Sequence, residues 1–462
     1  MDQDLLEDIE EFAYLRSSAE RCLERLRPHL AAHANIDSIL NATLERYRTA
    51  TTHDELRSLQ GITAALMTAI DWQSPSFLHS IKSQAGTQAG RIVGTVNDYK
   101  RDQNLDAEEF EIAFAKEYID APLRMRPNVY ATVSGMAAFT TVINFLQHND
   151  KTDGAILVGQ NSYFENKGLL KKTFPNRVRF VDEMNIEAIL EAVSEHKPSV
   201  IFLDTLCNTE TVAMPNLAEL FPALAKIVKR HTYIVLDNSG MGPMCQPLKN
   251  FPRLCLKLHL IVFESLNKFY QFGMDRVTGG IIWGVGNDTL GITSMRTHLG
   301  TNIPDASARA MPEPNRKLLD RRMKRIDRNA QFMAEALDSH IRSRSKSPLS
   351  HVTYPGLSSY QDYAWTKDLN FHGAFLVLNF KSPNQIVRCS KYFLSITIEE
   401  AKKADVELVA GTSFGFNTTR VYLTALKAQK DATPFLRISV GTEQLNEIQK
   451  LIELFKRSID RL

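Results

Sequence analysis

The chain has 462 residues, more than one simple core accommodates, so its length predicts two or three domains or subdomains. With 44% apolar and 23% charged residues it has the composition of a globular protein. Its 55 basic and 53 acidic side chains give a formal charge of +2, which argues against a basic nucleic-acid-binding surface. We therefore predict no nucleic-acid partner.

The cysteines and the amino-terminal residues bear on the expected cellular compartment. The five cysteines are widely spread and contain no C-x-x-C pair, which argues against both a disulfide framework and a zinc site, so no metal is expected. The first residues, "MDQDLLEDIEEF", are acidic, whereas a signal peptide begins with basic and then apolar residues. No apolar run approaches the roughly 18 residues of a membrane span. We expect a cytoplasmic protein that is not bound to a membrane.

The amino-terminal region, residues 1–90, shows helical patterning. In "LLEDIEEFAYLRSSAERCLERLRPHL" and in "HDELRSLQGITAALMTAIDW" the apolar residues recur at helical spacing among charged ones. This pattern predicts a helical extension that packs on the main body or on another subunit.

Short β-branched runs alternate with helical segments from about residue 125 to about residue 285. The runs are "GAILVG" (154–159), "VRFVD" (178–182), "SVIFLD" (199–204), "TYIVLD" (232–237), "HLIVFES" (259–265) and "GGIIWG" (279–284). Continuous apolar strands joined by helices are typical of a mostly parallel sheet that is covered on both faces. The sequence therefore predicts a large α/β domain over residues 91–290.

A smaller α+β domain is predicted over residues 291–462. It begins with a long charged helix, continues through a basic loop at 342–350, and closes with an amphipathic helix. Two strands are expected between the loop and the last helix, in "HGAFLVLNF" and "FLRISVG".

Polar side chains follow several of the predicted strands. Because ligands of open α/β sheets bind at the carboxyl ends of the strands, these residues are the first candidates for a site. They are Tyr163, Asp204, Asn208, Asp237, Ser265, Asn267 and Lys268. Upstream, a strand turns at Ser134-Gly135 into a helix, and a helix amino terminus binds phosphate well. Taken alone, a strand-end aspartate is explained as a cap or turn residue, a lone lysine as a surface residue and Ser-Gly before a helix as a turn. The order of the residues along the chain is therefore the informative feature.

The ordered set resembles the Cys/Met-metabolism group of pyridoxal 5'-phosphate enzymes, which have the aspartate-aminotransferase fold (fold type I) and include cystathionine γ-synthase, cystathionine γ-lyase and methionine γ-lyase. The resemblance runs from about residue 97 to the carboxyl terminus. The matching segments are "YKRDQN" (99–104), "SGMAA" (134–138), Tyr163, "LDTLCN" (203–208), "VLDNSGMGP" (235–243), "FESLNKFYQFGMDRVTGG" (263–280), "VTYPGL" (352–357) and "FLRISVGTE" (435–443).

The resemblance implies a role for each matching residue. Lys268 would form the Schiff base and move the Cα proton, Asp237 would bind the pyridine nitrogen, and Tyr163 would stack on the ring and assist proton transfer. The remaining cofactor-binding residues would be Ser134, Gly135, Met136, Asn208, Ser265 and Asn267, with Tyr99 and Arg101 supplied by the neighbouring subunit of a homodimer or homotetramer. The substrate amino acid would meet Arg437, Ser413 and Asn104.

Some positions depart from the family pattern. Asn267 stands where the family usually has threonine, "SFGF" (413–416) stands where it has "SLGG", and three aromatic residues crowd the stretch after the lysine: Phe269, Tyr270 and Phe272. The departures suggest that the cofactor machinery is kept while the substrate pocket is altered.

The resemblance favours γ-elimination or γ-replacement on a γ-substituted L-amino acid. One specific possibility within this class is a natural-product γ-lyase that acts on a halogenated or unsaturated amino acid. If the protein is an enzyme with the same cofactor but another reaction, the alternatives are a β-lyase and an aminotransferase.

Two alternatives belong to other classes of protein. A non-catalytic binding protein on a degenerate scaffold would be expected to lack the lysine or the aspartate, and both are present. "GTSFG" (411–415) matches the G-x-S-x-G of α/β-hydrolases, whose histidine follows the serine. No histidine follows His372, which excludes that reading.

Overall fold

The computed structural model describes residues 3–26, 34–52, 55–56, 58–59, 62, 105–122, 126–252, 254–275, 277–286, 289–426 and 432–462. Within these residues the strands form two sheets, and helices cover both.

The larger sheet has seven strands within the described residues. They are β1 (Pro127–Thr132), β2 (Ile156–Gly159), β3 (Val178–Val181), β4 (Val200–Asp204), β5 (Thr232–Asp237), β6 (Leu258–Ser265) and β7 (Gly280–Val285). The strand order is β1-β7-β6-β5-β4-β2-β3, and only β7 runs antiparallel to its neighbours. The predicted mostly parallel sheet is therefore confirmed.

The helices of the described residues are α1 (Gln3–Leu26), α2 (Ala34–Thr49), α3 (Leu105–Tyr118), α4 (Gly135–His148), α5 (Phe164–Thr173), α6 (Ile186–His196), α7 (Leu217–Ile227), α8 (Ile292–Leu299), α9 (Asp305–Ala310), α10 (Arg316–Arg342), α11 (Tyr363–Thr366), α12 (Ile386–Lys403) and α13 (Leu445–Asp460). The helical segments predicted between the strands of the larger sheet include α6 and α7, the predicted long charged helix is α10, and the predicted closing amphipathic helix is α13.

The smaller sheet lies in the carboxyl-terminal part. Its strands are β8 (Leu349–Thr353), β9 (Phe375–Phe380), β10 (Val409–Ala410), β11 (Arg420–Thr424) and β12 (Phe435–Ser439), in the order β10-β11-β12-β9-β8. β9 and β12 confirm the two predicted strands. The predicted loop at 342–350 is wrong at its end, because β8 begins at Leu349, whose side chain is buried against α10.

The amino-terminal helices α1 and α2 agree with the helical pattern of that region. The rest of the predicted extension lies almost entirely outside the described residues, so its boundary at residue 90 and the other domain boundaries stay predictions. None of the helices in the described part of the chain combines the length and the apolar composition that a membrane crossing requires.

Strand register decides which residues meet at the carboxyl edge of the larger sheet. Asp204 of β4 is paired with Asp237 of β5, and Asp237 is paired with Phe263 of β6. Because these strands are parallel, all three end at the same edge. Lys268 follows three residues beyond the end of β6, at that edge.

A buried carboxylate lies beneath this edge. Glu264 of β6 is 2% exposed, and its carboxylate accepts hydrogen bonds from Trp283 Nε1 at 2.8 Å and from the Tyr270 hydroxyl. Burial raises the pKa of Glu264 to about 7 in spite of these donors. The folded protein therefore favours the neutral acid.

The pH dependence of stability follows from this shift. A raised folded-state pKa means that the contribution of Glu264 is complete below its unfolded pKa and is lost as the pH rises through about 7. Glu264→Gln keeps an acceptor for Trp283 and cannot ionise. We expect the variant to gain about 2.5 kcal/mol relative to the parent between about pH 5 and about pH 9. Urea unfolding at both pH values measures this gain, and parallel pH curves for the two proteins would contradict it.

Candidate functional site

Lys268 lies where the larger sheet meets a loop from the smaller domain. Its Nζ donates a hydrogen bond to Ser413 Oγ at 2.9 Å and lies 5.2 Å from the centre of the Phe414 ring. Burial, and then the positive charge of Arg437, lower the pKa of Lys268 to about 8. A substantial fraction of the amine is therefore neutral near physiological pH, as a nucleophile or base requires.

The Arg437 guanidinium is connected to the same serine. Its Nη2 donates to the Ser413 carbonyl oxygen at 3.0 Å, and its Nη1 donates to Asn208 Oδ1 at 2.6 Å. Arg437 is 2% exposed, and burial lowers its pKa to about 10. Its Nε has no hydrogen-bond partner, and within the described residues no carboxylate lies in ion-pair contact with it. A buried cation held only by neutral groups is suited to an anionic ligand.

Asp237 and Asp204 lie side by side at the ends of β5 and β4. The Asp237 carboxylate accepts hydrogen bonds from the backbone N–H of Ser239 at 3.0 Å and from Asn166 Nδ2 at 3.4 Å. Burial raises the pKa of Asp237, and burial together with the nearby Asp237 charge holds the pKa of Asp204 well above its usual range. Two adjacent carboxyl groups in a dry site favour a cationic partner.

Tyr163 lies beside these carboxyl groups, as the residue before α5. Its backbone N–H donates to Asp204 Oδ2 at 2.9 Å, which fixes the start of α5 against β4. Burial, and then the charge and hydrogen bond of Glu165, raise the pKa of the Tyr163 hydroxyl. Asp237 adds to this rise and Arg437 opposes it, both with smaller effects. The tyrosine is thus close to the predicted pyridine-binding and carboxylate-binding residues.

The start of α4 forms a cradle of closely packed backbone. Ser134 caps the helix by accepting a hydrogen bond from the Ala137 N–H at 3.0 Å. A Cβ added to Gly135 would lie 2.9 Å from Ser265 Cβ, and one added to Gly280 would lie 2.2 Å from the Ser134 carbonyl oxygen. Only glycine fits at these two positions. The Ala137 and Ala138 N–H groups are used by Ser134, whereas those of Gly135 and Met136 precede the first hydrogen bond of the helix and are available to an anion.

Asn267 and Ser265 differ in how the structure uses them. The Asn267 amide donates to the Val277 carbonyl at 3.0 Å and to Asp275 Oδ1 at 3.3 Å, and its Oδ1 accepts from the Gly279 N–H at 3.1 Å. It therefore braces the chain that returns to β7. Ser265 contributes its backbone N–H to Ser239 Oγ at 2.8 Å and has a partly exposed side chain next to Gly135. A contact of either side chain with phosphate stays a prediction.

Three predicted site residues lie outside the described residues. They are Tyr99, Arg101 and Asn104. Their roles toward the cofactor phosphate and the substrate stay predictions.

The aromatic residues after Lys268 correct the expectation that they shape the substrate pocket. Phe269, Tyr270 and Phe272 are buried in the core. Tyr270 packs on Phe114 and Tyr118 of α3, and the Phe269 ring lies 5.6 Å from that of Phe414. Of the aromatic residues that depart from the family pattern, Phe414 is the one next to the Lys268 amine, and Phe269 supports it from the core.

Other residues of the site carry no strong local signal. Asn166 and Ser239, which donate hydrogen bonds to Asp237, carry no signal of their own in the sequence. Ser239 lies two residues beyond β5, which is the clue that was available for it, whereas Asn166 lies within the first turn of α5. Phe414 belongs to a segment that departs from the family pattern, and no local pattern indicates its contact with Lys268.

The donor set fits the pyridoxal phosphate that the sequence resemblance implies. The glycine cradle and the α4 amino terminus suit a phosphate, and the part-buried Asp237 carboxyl suits a protonated ring nitrogen. Lys268 suits the aldehyde, and the orphaned Nε of Arg437 suits the carboxylate of a bound amino acid.

Comparison with known proteins agrees with this geometry. The sequence pattern of the Cys/Met metabolism PLP-dependent enzymes matches residues 49–454. The match begins earlier than the motifs near residue 97 indicate, so it leaves only residues 1–48 before it.

Named relatives share about a quarter of their residues with the chain. The bifunctional enzyme flvA of Aspergillus flavus is 26% identical over 334 residues, which are 69% of this chain and 37% of that protein. A cystathionine β-lyase of Coxiella burnetii is 25% identical over 77% of this chain and 86% of its own length. An L-methionine γ-lyase of Treponema denticola is 25% identical over 71% of this chain and 78% of its own. The chain thus spans well under half of the Aspergillus protein.

The fold is shared with solved structures. The crystal structure of metB from Corynebacterium glutamicum superposes with a TM-score of 0.62 at 21% identity, over 80% of this chain and 88% of that one. Together with the match over residues 49–454, this shows that the chain belongs to the Cys/Met metabolism family of pyridoxal-phosphate-dependent enzymes.

Proposed function

We propose that the protein catalyses γ-elimination or γ-replacement on a γ-substituted L-amino acid. The observation that supports this most directly is that Ser413 bonds both to Lys268 and to Arg437. A base and a carboxylate-binding cation held by one residue suit an α-amino acid whose carboxylate lies on Arg437 and whose Cα proton faces Lys268.

The properties of Lys268 suit the proton transfers. With a pKa of about 8 the amine accepts a proton at neutral pH and gives it up again without a large barrier. The Ser413 hydroxyl accepts a hydrogen bond from it and so orients the amine. A γ-reaction removes a second proton, from Cβ, and one mobile lysine of this pKa serves both positions.

Asp237, Tyr163 and the α4 cradle would hold the cofactor. When bound, pyridoxal phosphate supplies an electron-accepting ring and an aldehyde. Asp237 would keep the ring nitrogen protonated, Asn208 would bond the ring hydroxyl, and Ser134, Gly135 and Met136 would bind the phosphate. Tyr163 would stack on the ring and assist Lys268 in moving protons.

The substituent on the substrate is proposed to be small and apolar, as in a halogenated or unsaturated amino acid. Phe414 borders Lys268, and its ring also lies 5.8 Å from Arg437 Cζ. The distal half of cystathionine carries an ammonium and a carboxylate, which an aromatic wall does not satisfy. The L-methionine γ-lyase among the relatives supports chemistry at Cγ.

β-Elimination is the second candidate, because a cystathionine β-lyase is among the relatives. It needs only the Cα proton. A panel of γ- and β-substituted L-amino acids, analysed for keto acid, ammonia and retained amino-acid product, separates the reactions. We expect turnover of the γ-substituted substrates. Turnover of the β-substituted substrates alone would favour β-elimination, and transfer of the amino group would favour an aminotransferase; either result would refute the proposed γ-reaction.

We also propose a homodimer or homotetramer in the cytoplasm, with Tyr99 and Arg101 completing the site of the neighbouring subunit. Sharing a site in this way makes activity depend on assembly. Mixing an inactive Lys268 variant with an inactive Arg101 variant would restore activity in hybrid oligomers if the site is shared.

Lys268→Ala should abolish the cofactor absorbance band at ~420 nm that borohydride removes from the parent, and should stop turnover, because both depend on the Lys268 amine. Absorbance spectra and activity assays measure both effects. Lys402→Ala, which changes an exposed lysine of α12, is the control and should stay yellow and active. A yellow, active Lys268→Ala protein would refute the assignment.

Arg437→Ala should raise the KM for the amino acid about 100-fold, because two charge-assisted hydrogen bonds to the carboxylate are lost. Arg437→Lys keeps the charge without the paired geometry and should have an intermediate KM. Steady-state kinetics of both variants, checked for folding by circular dichroism, test the role. An unchanged KM in a folded Arg437→Ala variant would contradict it.

A further inference from the structure

The amino-terminal helix α1, which lies outside the family match, packs along the long helix α10. Its acidic residues at positions 4, 8 and 11 lie on one face, at the spacing of successive helical turns. They pair in antiparallel order with arginines of α10: Arg328 with Asp4, Arg325 with Asp8 and Arg322 with Glu11, at 2.8, 2.8 and 2.7 Å. A neighbouring pair joins Arg321 to Glu10 at 2.7 Å.

The pair of Arg322 and Glu11 differs from the others in burial. Both of its side chains are buried, at 1% exposed for Arg322 and 13% for Glu11. In each of the other three pairs one carboxylate or guanidinium is more open, with Arg328 at 44%, Asp8 at 36% and Glu10 at 53%. A buried ion pair that loses one partner leaves an uncompensated charge, whereas an exposed pair contributes little. Among the four pairs, Arg322–Glu11 is therefore the one whose loss is expected to be most costly.

The Arg322 side chain, on α10, connects Glu11 of α1 with the loop that contacts Lys268. Its Nη1 donates to Glu11, while its Nη2 donates to Asn417 Oδ1 at 2.6 Å and to the Gly415 carbonyl oxygen at 3.3 Å. One guanidinium thus joins the amino-terminal helix to the segment Ser413–Asn417.

This segment packs directly on the reacting lysine. Ser413 accepts the hydrogen bond from Lys268 Nζ, and Gly415, at φ +88°, approaches so closely that an added Cβ would lie 2.4 Å from the Lys268 carbonyl oxygen. A displacement of the segment therefore changes the environment of the Lys268 amine.

The turn after Lys268 meets the same guanidinium. Gly273 has φ +79°, and a Cβ there would lie 2.7 Å from Arg322 Nη2. The preceding residue, Phe272, packs on Tyr14 of α1 with ring centres 5.6 Å apart. Helix α1 thus supports both segments that flank the lysine, one through Arg322 and one through Tyr14.

We propose that Glu11 is a positioning residue of the active site, which acts through Arg322 to hold the Ser413–Asn417 segment against Lys268. The proposal rests on the proposed function only in that Lys268 is the reacting group. Without the Glu11 carboxylate, the buried Arg322 guanidinium keeps only neutral hydrogen-bond acceptors. Because its charge is then uncompensated, water enters around it or the side chain moves toward solvent. The Ser413–Asn417 segment thereby becomes less firmly held.

The consequence for Lys268 has a definite sign. Burial and the charge of Arg437 hold its pKa down, against the opposing charges of Asp237, Asp275 and Glu165. The Ser413–Asn417 segment supplies both the cover and the contact to Arg437. A loosened segment admits water and weakens both effects. The proton affinity of the lysine nitrogen then rises toward its ordinary value.

The test compares Glu11→Gln with Glu10→Gln in the protein loaded with pyridoxal phosphate. Glu10 lies one residue away, pairs with Arg321 at the same distance, and is 53% exposed. The readouts are the pH midpoint of the cofactor absorbance change, the thermal unfolding temperature, and kcat and KM on the substrate that the panel identifies.

Glu11→Gln is expected to move the absorbance midpoint upward by about half a pH unit or more and to lower kcat at least about 10-fold, because a small misplacement of a reacting group is costly. Glu10→Gln should change neither. An unchanged midpoint and kcat in folded Glu11→Gln, with only the unfolding temperature lowered, would mean a purely structural role and would overturn the proposal.

Two further arms keep the result unambiguous. If Glu11→Gln does not fold, Glu11→Asp, which keeps the charge but withdraws it from Arg322, replaces it and should give a smaller shift in the same direction; no shift overturns the proposal. The absorbance midpoint requires only bound cofactor. A midpoint shift in a protein that turns over no member of the panel would support the positioning role while refuting the proposed reaction.

Discussion

The hydrogen bond between Lys268 and Ser413 joins two parts of the chain that are 145 residues apart, and the rest of the site depends on it. The serine has φ +71°, a conformation that a residue other than glycine rarely adopts by local preference, while glycine at position 415 accommodates φ +88°. Tertiary contacts therefore have to keep the segment in place. Arg437 holds its beginning through the Ser413 carbonyl oxygen, and Arg322 holds its end through Gly415 and Asn417.

The same site concentrates charges that are costly to bury. Asp204 and Asp237 face each other across adjacent parallel strands, and Arg437 lies inside β12 without a carboxylate partner among the described residues. An isolated buried charge opposes folding, so such groups persist where a ligand supplies the opposite charge. A ring nitrogen at Asp237 and a substrate carboxylate at Arg437 would do so, which connects the stability of this region to the chemistry that it serves.

The family's shared sheet and the added helix contribute in different ways. The sheet places Asp237 and Lys268 at one edge, as its parallel topology requires, and the solved relative with 21% identity has the same fold. Helix α1, outside the family match, acts on the segments that cover Lys268. Changes in such supporting contacts alter a site without changing the residues that touch the substrate.

The sequence by itself determined the parallel sheet, the helix that starts at Ser134 and the order of Tyr163, Asp237 and Lys268 along the carboxyl edge. Continuous apolar runs and strand-end polar residues are local signals, and the chain topology that joins them is nearly unique. Only the tertiary structure decided that Phe269, Tyr270 and Phe272 belong to the core, that Asn267 braces a turn, and that Arg322 and Glu11 reach the site. These outcomes depend on which distant segments pack together, and no local period in the sequence encodes that choice.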